Sequence, residues 1–250
     1  MASRKGAKVL EKHTATKAII MAAGVGKRLQ PVTCQTPKPL VEVNGKKMIE
    51  TVIDGLIENG ITEIYVVIGY LKEQFAYLPQ KYEQINLTLL DNPYFETCNN
   101  ISSLYVAREY LGDCIITDGD LIVNNPQILD PNFSASGYCS LWANETNEWL
   151  QTTDANGFVT ACSRTGGKAG WQLFSISFWS KADGAKLKKH LEEMFEEKGS
   201  TDLYWDDIPM FHYPDDYRLK IREISLGDVV EIDNFQELIA IDERYQNITL

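Results

Sequence analysis

The chain has 250 residues, 44% hydrophobic and 24% charged, a globular composition that argues against a disordered or fibrous protein. Its formal net charge of −11 argues against nonspecific binding to nucleic acid or an anionic membrane, which calls for basic patches. No apolar run reaches the roughly 18 residues of a membrane span, and residues 1–17 lack the apolar centre of a secretory signal, so a cytoplasmic protein without membrane insertion is expected.

The charge is uneven: residues 1–48 hold ten Lys/Arg against two Glu, a net +8, which leaves −19 on the other 202 residues. Such a distribution can concentrate positive potential at one anion site. Five of the ten, Arg4 to Lys17, fall before or at the first expected strand, and residues 1–16 read as a flexible basic leader ahead of a single domain over 17–250. Cys34, Cys98, Cys114, Cys139 and Cys162 are scattered singly, with an odd count and no CxxC, the pattern of reduced thiols.

Lys17 to Ala23 (KAIIMAA) is a continuous apolar run ending in glycine, which predicts a buried parallel strand. Lys47 to Asn59 places Met48, Val52, Ile53, Leu56 and Ile57 on one helical face, with Gly60 suited to the C′ position. Glu63 to Tyr70 is a second β-branched run, completing a βαβ unit whose crossover should be right-handed. A helix from Lys72, a strand at Leu87 to Leu90 and a helix over Asn100 to Tyr110 with an Asn cap continue the pattern. Cys114 to Thr117 is another buried strand, and Asp118, Gly119 and Asp120 follow it, where open α/β sheets bind ligands. Beyond residue 136 the texture alternates: a strand at Tyr138 to Ala143, a hairpin around Asp154, Asn156 and Gly157, and a strand at Leu173 to Trp179. Amphipathic helices over Lys181 to Lys198 and Phe235 to Tyr245 close the chain. The expected class is α/β, a Rossmann-like mixed, mainly parallel sheet flanked by helices.

The most informative stretch is Ala22 to Lys38, AAGVGKRLQPVTCQTPK, directly after the first strand. Gly24 and Gly26 let backbone N–H groups approach phosphate oxygens with no Cβ in the way. Arg28 adds a planar fork of donors and Lys38 a compact point charge, both suited to a triphosphate. No G-K-[ST] opens a following helix, so this is not a P-loop.

The run resembles the signature G-x-G-x-R-[LM]-x-P-x-T-x-x-x-P-K of nucleotide-diphospho-sugar pyrophosphorylases and related nucleotidyltransferases. Further stretches are similar to bacterial CTP:phosphocholine cytidylyltransferases of the LicC type: VIGYLKEQF (67–75), NNISSLY (99–105), TDGD (117–120), TNEW (146–149), KAG (168–170), DLYWD (202–206) and EID (231–233). The resemblance implies the nucleotide-diphospho-sugar transferase fold and attack by a substrate phosphoryl oxygen on the α-phosphorus of CTP. Arg28 and Lys38 would then be catalytic, and Asp120 with Asp233 would hold Mg²⁺, a hard cation suited to two carboxylates. Ala22, Ala23, Gly24, Gly26, Tyr70, Asn100, Ser103 and Asp118 would bind the nucleotide. Glu148, Trp149, Lys168, Asp202, Tyr204 and Trp205 would bind the acceptor, aromatic faces and carboxylates being what a quaternary ammonium requires.

The expected partners are CTP and a small phosphorylated or phosphonylated amine, with the protein a monomer or homodimer. Phosphocholine is the acceptor the resemblance favours. After KAG, however, the chain has Trp171 and Gln172 where an arginine is expected, which brings 2-aminoethylphosphonate close behind. A sugar-1-phosphate nucleotidyltransferase, and a regulatory or scaffold protein that binds nucleotide without turnover, are the remaining readings. His13, His190 and His212 receive no role.

Overall fold

The computed structural model describes residues 11–246. Four parallel strands make the centre of the sheet: β1 (Lys17–Ala22), β2 (Glu63–Ile68), β3 (Asn86–Asp91) and β4 (Cys114–Asp118). Their order is β3-β2-β1-β4, so the direction of winding reverses between β1 and β4. Alternate side chains of each strand enter different layers. Ala18, Ile20 and Ala22 pack with Ile49, Val52, Ile53 and Leu56 of helix α1 (Met48–Glu58). Ile19 and Met21 pack on the opposite face with Ile101 and Leu104 of α2 (Ile101–Val106) and Leu187 and Leu191 of α3 (Lys181–Glu192). Ile19 and Ile20 are fully buried, each contributing roughly 1.5–3 kcal/mol relative to exposure.

The short strand β5 (Leu121–Val123) follows β4, and then the sheet turns antiparallel. Strands β6 (Gly137–Thr146), β7 (Leu150–Thr153), β8 (Val159–Ser163) and β9 (Gly167–Trp179) extend it. One edge of β9 pairs along β6. Its other edge is shared: β4 pairs with Ile176 to Trp179, whereas β7 pairs with Trp171 and Gln172. Between these partners the sheet splays, and Leu173 N donates to Trp149 O at 2.8 Å. Trp149 is therefore set about 7 Å along β9 from the end of β4, two residues of strand rise. Asp118, the last residue of β4, lies at this gap.

The last strand, β10 (Val229–Glu231), pairs with β5, and helix α4 (Phe235–Ile241) follows, capped by Asn234. A small third core holds Leu29, Val41, Val43, Met48, Ile232, Phe235 and Leu238. Leu29 and Ile232 are fully buried there, and their neighbours are Arg28 and Asp233, so this apolar clamp fixes the glycine-rich loop against the C-terminal strand.

Several element boundaries differ from expectation. The leader assigned to residues 1–16 lies outside the described residues up to residue 10, but His13 and Thr14 pair antiparallel with Phe133 and Asn132, and Ala15 is buried, so the fold begins before Lys17. The helix expected from Lys72 is a 3₁₀ turn (Lys72–Phe75) and a single turn (Leu78–Lys81). Helix α2 stops at Val106, and Asn100 does not cap it. Helix α3 ends at Glu192 and passes into a wider turn over Glu193–Glu197. Among the described residues no helix is long and apolar enough to cross a membrane.

Candidate active site

The winding reversal puts the C-terminal ends of β1 and β4 side by side, where the crevice of an open sheet takes its ligand. Gly26 adopts a left-handed φ of 64°. A Cβ there would lie 2.9 Å from Lys38 Cβ, so only glycine lets the loop close this tightly on Lys38. Thr33 Oγ1 donates to Gly26 O at 2.8 Å, explaining the threonine of the motif. Gly24 has open space where its Cβ would be.

Lys38 is buried, and its Nζ lies 2.6 Å from Asp120 Oδ2 and 4.0 Å from Asp233 Oδ1. Arg28, largely exposed, donates to Asp233 Oδ1 at 2.7 Å. Burial alone would lower the Lys38 pKa; Asp120, with Asp233 and Glu231 behind it, more than offsets that, and the pKa is raised. The two cations and the two aspartates proposed from sequence therefore share one cleft. Asp120 and Asp233 converge on a single ammonium from strands distant in the chain. They are hard oxygen donors without a nearby His or Cys, and no group of three metal-ligating side chains forms among the described residues. Two carboxylates with room for phosphate oxygens fit Mg²⁺, which keeps several waters.

Ala22, Ala23, Gly24, Gly26, Asn100, Ser103 and Asp118, together with Lys38 and Asp120, line one cavity of about 160 Å³. Ser103 Oγ accepts from Asn92 Nδ2 at 3.1 Å, which leaves its hydroxyl proton free to donate. Asn100 Oδ1 accepts from Trp205 N at 2.9 Å, so its amide N–H groups remain for a ligand while the residue holds the 204–206 turn. Tyr70 is a correction. It does not line the cavity; its hydroxyl donates to Thr33 O at 2.9 Å and braces the loop from behind.

Carboxylates crowd the other side of the cleft. Asp118 has its pKa raised by burial first, then by Asp120, Asp206 and Glu231. Glu231 is pushed up to about 7 by burial and by Asp233 and Asp120, with Lys38 opposing and Glu148 adding. Burial likewise pushes Asp206 up to about 7, against the Tyr138 hydroxyl that faces it. Tyr138 Oη and Ser175 Oγ are buried, facing Asp206 and Asp118 respectively, and neither reaches a well-formed hydrogen bond among the described residues. Trp149 and Tyr204 meet at 6.0 Å and 81°, forming an aromatic corner with Tyr204 half exposed.

Three acceptor residues expected from sequence stand elsewhere. Trp205 is a core residue, 3% exposed and stacked on Tyr138 at 6.0 Å, so neither face is open to a ligand. Lys168 lies exposed on the β6–β9 ribbon, 3.6 Å from Glu145. Asp202 is exposed, with its carbonyl held by Asn99 Nδ2 at 3.1 Å, apart from the carboxylates that act on one another. Glu148, also exposed, reaches the cluster only through its field on Glu231.

Sequence reasoning gave no role to Glu231, although it opens the EID stretch, nor to Arg164. Arg164 Nη2 lies 2.6 Å from the buried Asp207, and its guanidinium sits over the rings of Phe211 at 4.1 Å and Trp149 at 5.9 Å, holding that indole in place. Nothing in the local pattern around Arg164 marks it.

Comparison with known proteins agrees with this geometry. The nucleotidyl transferase family matches residues 17–128. The 2-aminoethylphosphonate cytidylyltransferase of Lancefieldella rimae is 37% identical over 233 residues, covering 92% of this chain and 93% of that protein. The choline-phosphate cytidylyltransferase of Streptococcus pneumoniae is 33% identical over 232 residues, 92% of this chain and 99% of that one. The solved structure of the S. pneumoniae CTP:phosphocholine cytidylyltransferase (LicC) superposes with a TM-score of 0.84 at 34% identity, covering 91% of this chain and 98% of that one. A putative glucose-1-phosphate thymidylyltransferase of Bacillus anthracis shares the fold at 19% identity, with a TM-score of 0.73 over 94% of this chain and 97% of its own.

Proposed function

Because the chain belongs to the nucleotidyltransferases and, within them, to the cytidylyltransferases that act on small phosphorylated molecules, we propose that its acceptor carries a cationic amine and is 2-aminoethylphosphonate. The observation that carries this reading is the imbalance of charge in the cleft. Five carboxyls, Asp118, Asp120, Asp206, Glu231 and Asp233, stand against Arg28 and Lys38, and burial and mutual repulsion hold Asp118, Asp206 and Glu231 toward their protonated forms until a cation enters. A triphosphate makes the deficit worse, so the occupied site needs cations from its ligands.

A divalent metal answers part of that need. Asp120 and Asp233 would hold Mg²⁺, which when bound neutralises phosphate oxygens. An acceptor ammonium answers the rest on the Asp206 side. A primary ammonium has three N–H donors, and the buried Asp206 carboxyl, with the Tyr138 hydroxyl facing it, offers it oxygen acceptors. Identity is also higher to the aminoethylphosphonate enzyme than to the S. pneumoniae choline-phosphate enzyme, 37% against 33%. Where an arginine is expected after KAG, the chain has Trp171 and Gln172, and Gln172 Oε1 accepts from Thr146 Oγ1 at 2.9 Å.

The chemistry then follows from position and charge. Backbone N–H groups of the Gly24–Gly26 turn, Arg28 and Lys38 hold the triphosphate with its α-phosphorus toward the groove. The acceptor's phosphonate oxygen, already anionic at neutral pH, attacks in line, and pyrophosphate leaves toward Lys38 and Arg28. The nucleophile needs no general base, so the residues work by orientation and by stabilising charge on the leaving group.

Phosphocholine is the second reading, favoured by the Trp149–Tyr204 corner, where a methylated ammonium could lie against ring faces. Pyrophosphate release with CTP and each of 2-aminoethylphosphonate, phosphocholine and glucose 1-phosphate decides the matter. Aminoethylphosphonate should lead phosphocholine in kcat/KM by about tenfold or more, the worth of one or two charge-assisted hydrogen bonds, with glucose 1-phosphate inert. Preference for phosphocholine would overturn the primary-amine assignment.

A further inference from the structure

Strand β4 ends in the reaction cleft at Asp118, but near its other end Ile115 pairs with Phe178. Phe178 lines a separate cavity of about 460 Å³, together with Lys12, His13, Phe133, Lys220 and Arg222. It runs through His13 and Lys220 into a neighbouring hollow of about 850 Å³ that adds Arg218 and Lys186. The length of β4, at ~3.3 Å per residue, separates this rear cleft from the reacting groups by more than about 10 Å.

Its charge comes from a pattern the reaction does not use. In Tyr217 to Arg222 (YRLKIR), Tyr217 and Leu219 are buried in the core. Period-two alternation turns Arg218, Lys220 and Arg222 to the other side. Three cations on one extended face repel unless neutralised. Arg222 has Asp130, 3.8 Å away, and Lys186 has Asp183 at 2.9 Å. Arg218 and Lys220 instead lie over the Phe158 ring, at 3.8 and 5.7 Å, and among the described residues they and Lys12 have no carboxylate at ion-pair distance. The acids nearby are engaged or exposed: Asp154 feels Arg218 but accepts from the amides of Asn156 and Phe158 in its turn, Asp183 is paired with Lys186, and Glu11, which lines the hollow, is exposed. On a chain of net charge −11 such a basic hollow is an exception. His13 stacks on Phe133 at 5.3 Å and 29°, adding a flat wall.

We infer that this rear cleft is a second anion site, which binds a phosphate-bearing ligand through Lys12, Arg218 and Lys220. A nucleotide or an inorganic phosphate anion supplies the same charged group; the His13–Phe133 stack adds contact for a base in the first case only.

Titration calorimetry on the full chain tests this, with CMP and inorganic pyrophosphate as probes. Lys38→Ala weakens the reaction cleft and should leave one class of site at sub-millimolar affinity for at least one probe. Arg218→Gln/Lys220→Gln should lower that affinity by about tenfold or more, while wild-type turnover with CTP and acceptor stays within about twofold. Arg218→Lys/Lys220→Arg, which keeps the charge, should retain binding and so separates charge from folding. Loss of CMP but not pyrophosphate binding in His13→Ala would identify a nucleotide as the ligand. No binding to the Lys38→Ala protein by either probe, or a titration unchanged by the double glutamine substitution, overturns the site.

Discussion

Lys38 Nζ meets Asp120 Oδ2 at 2.6 Å, a buried ion pair at the point where the glycine-rich loop faces the end of β4. The same ammonium is 4.0 Å from Asp233, so one side chain spans both carboxylates. A charge already fixed in place needs no reorganisation when pyrophosphate leaves, which is where electrostatic catalysis gains most. Lys38→Ala should lower kcat by on the order of a hundredfold or more. Pyrophosphate release at saturating CTP and acceptor measures it, with circular dichroism confirming the fold. Turnover near wild type would remove Lys38 from the mechanism.

Metal dependence follows from the same pair. Chelation should abolish turnover, and added Mg²⁺ should restore it. Asp120→Asn and Asp233→Asn should each raise the Mg²⁺ needed for half-maximal rate by at least about tenfold, because a hard cation loses an anionic oxygen. A Mg²⁺ dependence unaltered in both variants would place the metal elsewhere.

Much of this was legible in the sequence, for a physical reason: the loop motif is local. Gly26, Thr33 and Lys38 meet within 13 residues, so their spacing carries the geometry. Asp118 and Asp120 were placed by the rule for open parallel sheets, which needs only strand order. The acceptor side was less legible because it is assembled from segments far apart. Trp205 and Tyr204 are adjacent in DLYWD, yet one is buried against Tyr138 and the other half exposed; only tertiary packing decides which. Lys168 sits on a strand too far along the ribbon to reach the cleft, a consequence of β9 being longer than its apolar run suggests. Tyr70 was expected to bind the nucleotide, but its hydroxyl bonds the loop carbonyl instead. Helix α2 starts without its expected cap because Asn100 Oδ1 accepts from Trp205 N instead, and over Arg108–Tyr110 the chain tightens into a 3₁₀ turn.

The two loop glycines should respond differently to alanine. Gly26→Ala forces a Cβ into a left-handed position and to 2.9 Å from Lys38 Cβ, costing about 1–2 kcal/mol in backbone strain alone. It should displace Lys38 and lower both CTP affinity and kcat. Gly24→Ala meets nothing within 4 Å, so the protein should melt as wild type. Its new methyl stands where phosphate oxygens approach the backbone, and the KM for CTP should rise by about tenfold. A shared melting loss, or a Gly24→Ala enzyme with normal CTP KM, would show that the triphosphate does not follow the loop backbone.

An acceptor ammonium held at Asp206 should bind in a pH-dependent way. Burial pushes its carboxyl up to about 7, opposed by the Tyr138 hydroxyl and reinforced by Asp207. The folded protein thus keeps a proton that the unfolded chain would release near its ordinary carboxyl pKa. The associated stability is fully present at low pH and is lost as pH rises through about 7. An ammonium, conversely, is held only by the ionised form, so the acceptor KM should fall between pH 6 and pH 8. Asp206→Asn is neutral throughout: its acceptor KM should be high at both pH values, and it should melt a few degrees above wild type at pH 8. The acceptor's own ionisation is common to both proteins, so the difference between their profiles isolates Asp206. Parallel profiles in the two proteins would mean that the amine does not bind at this carboxylate.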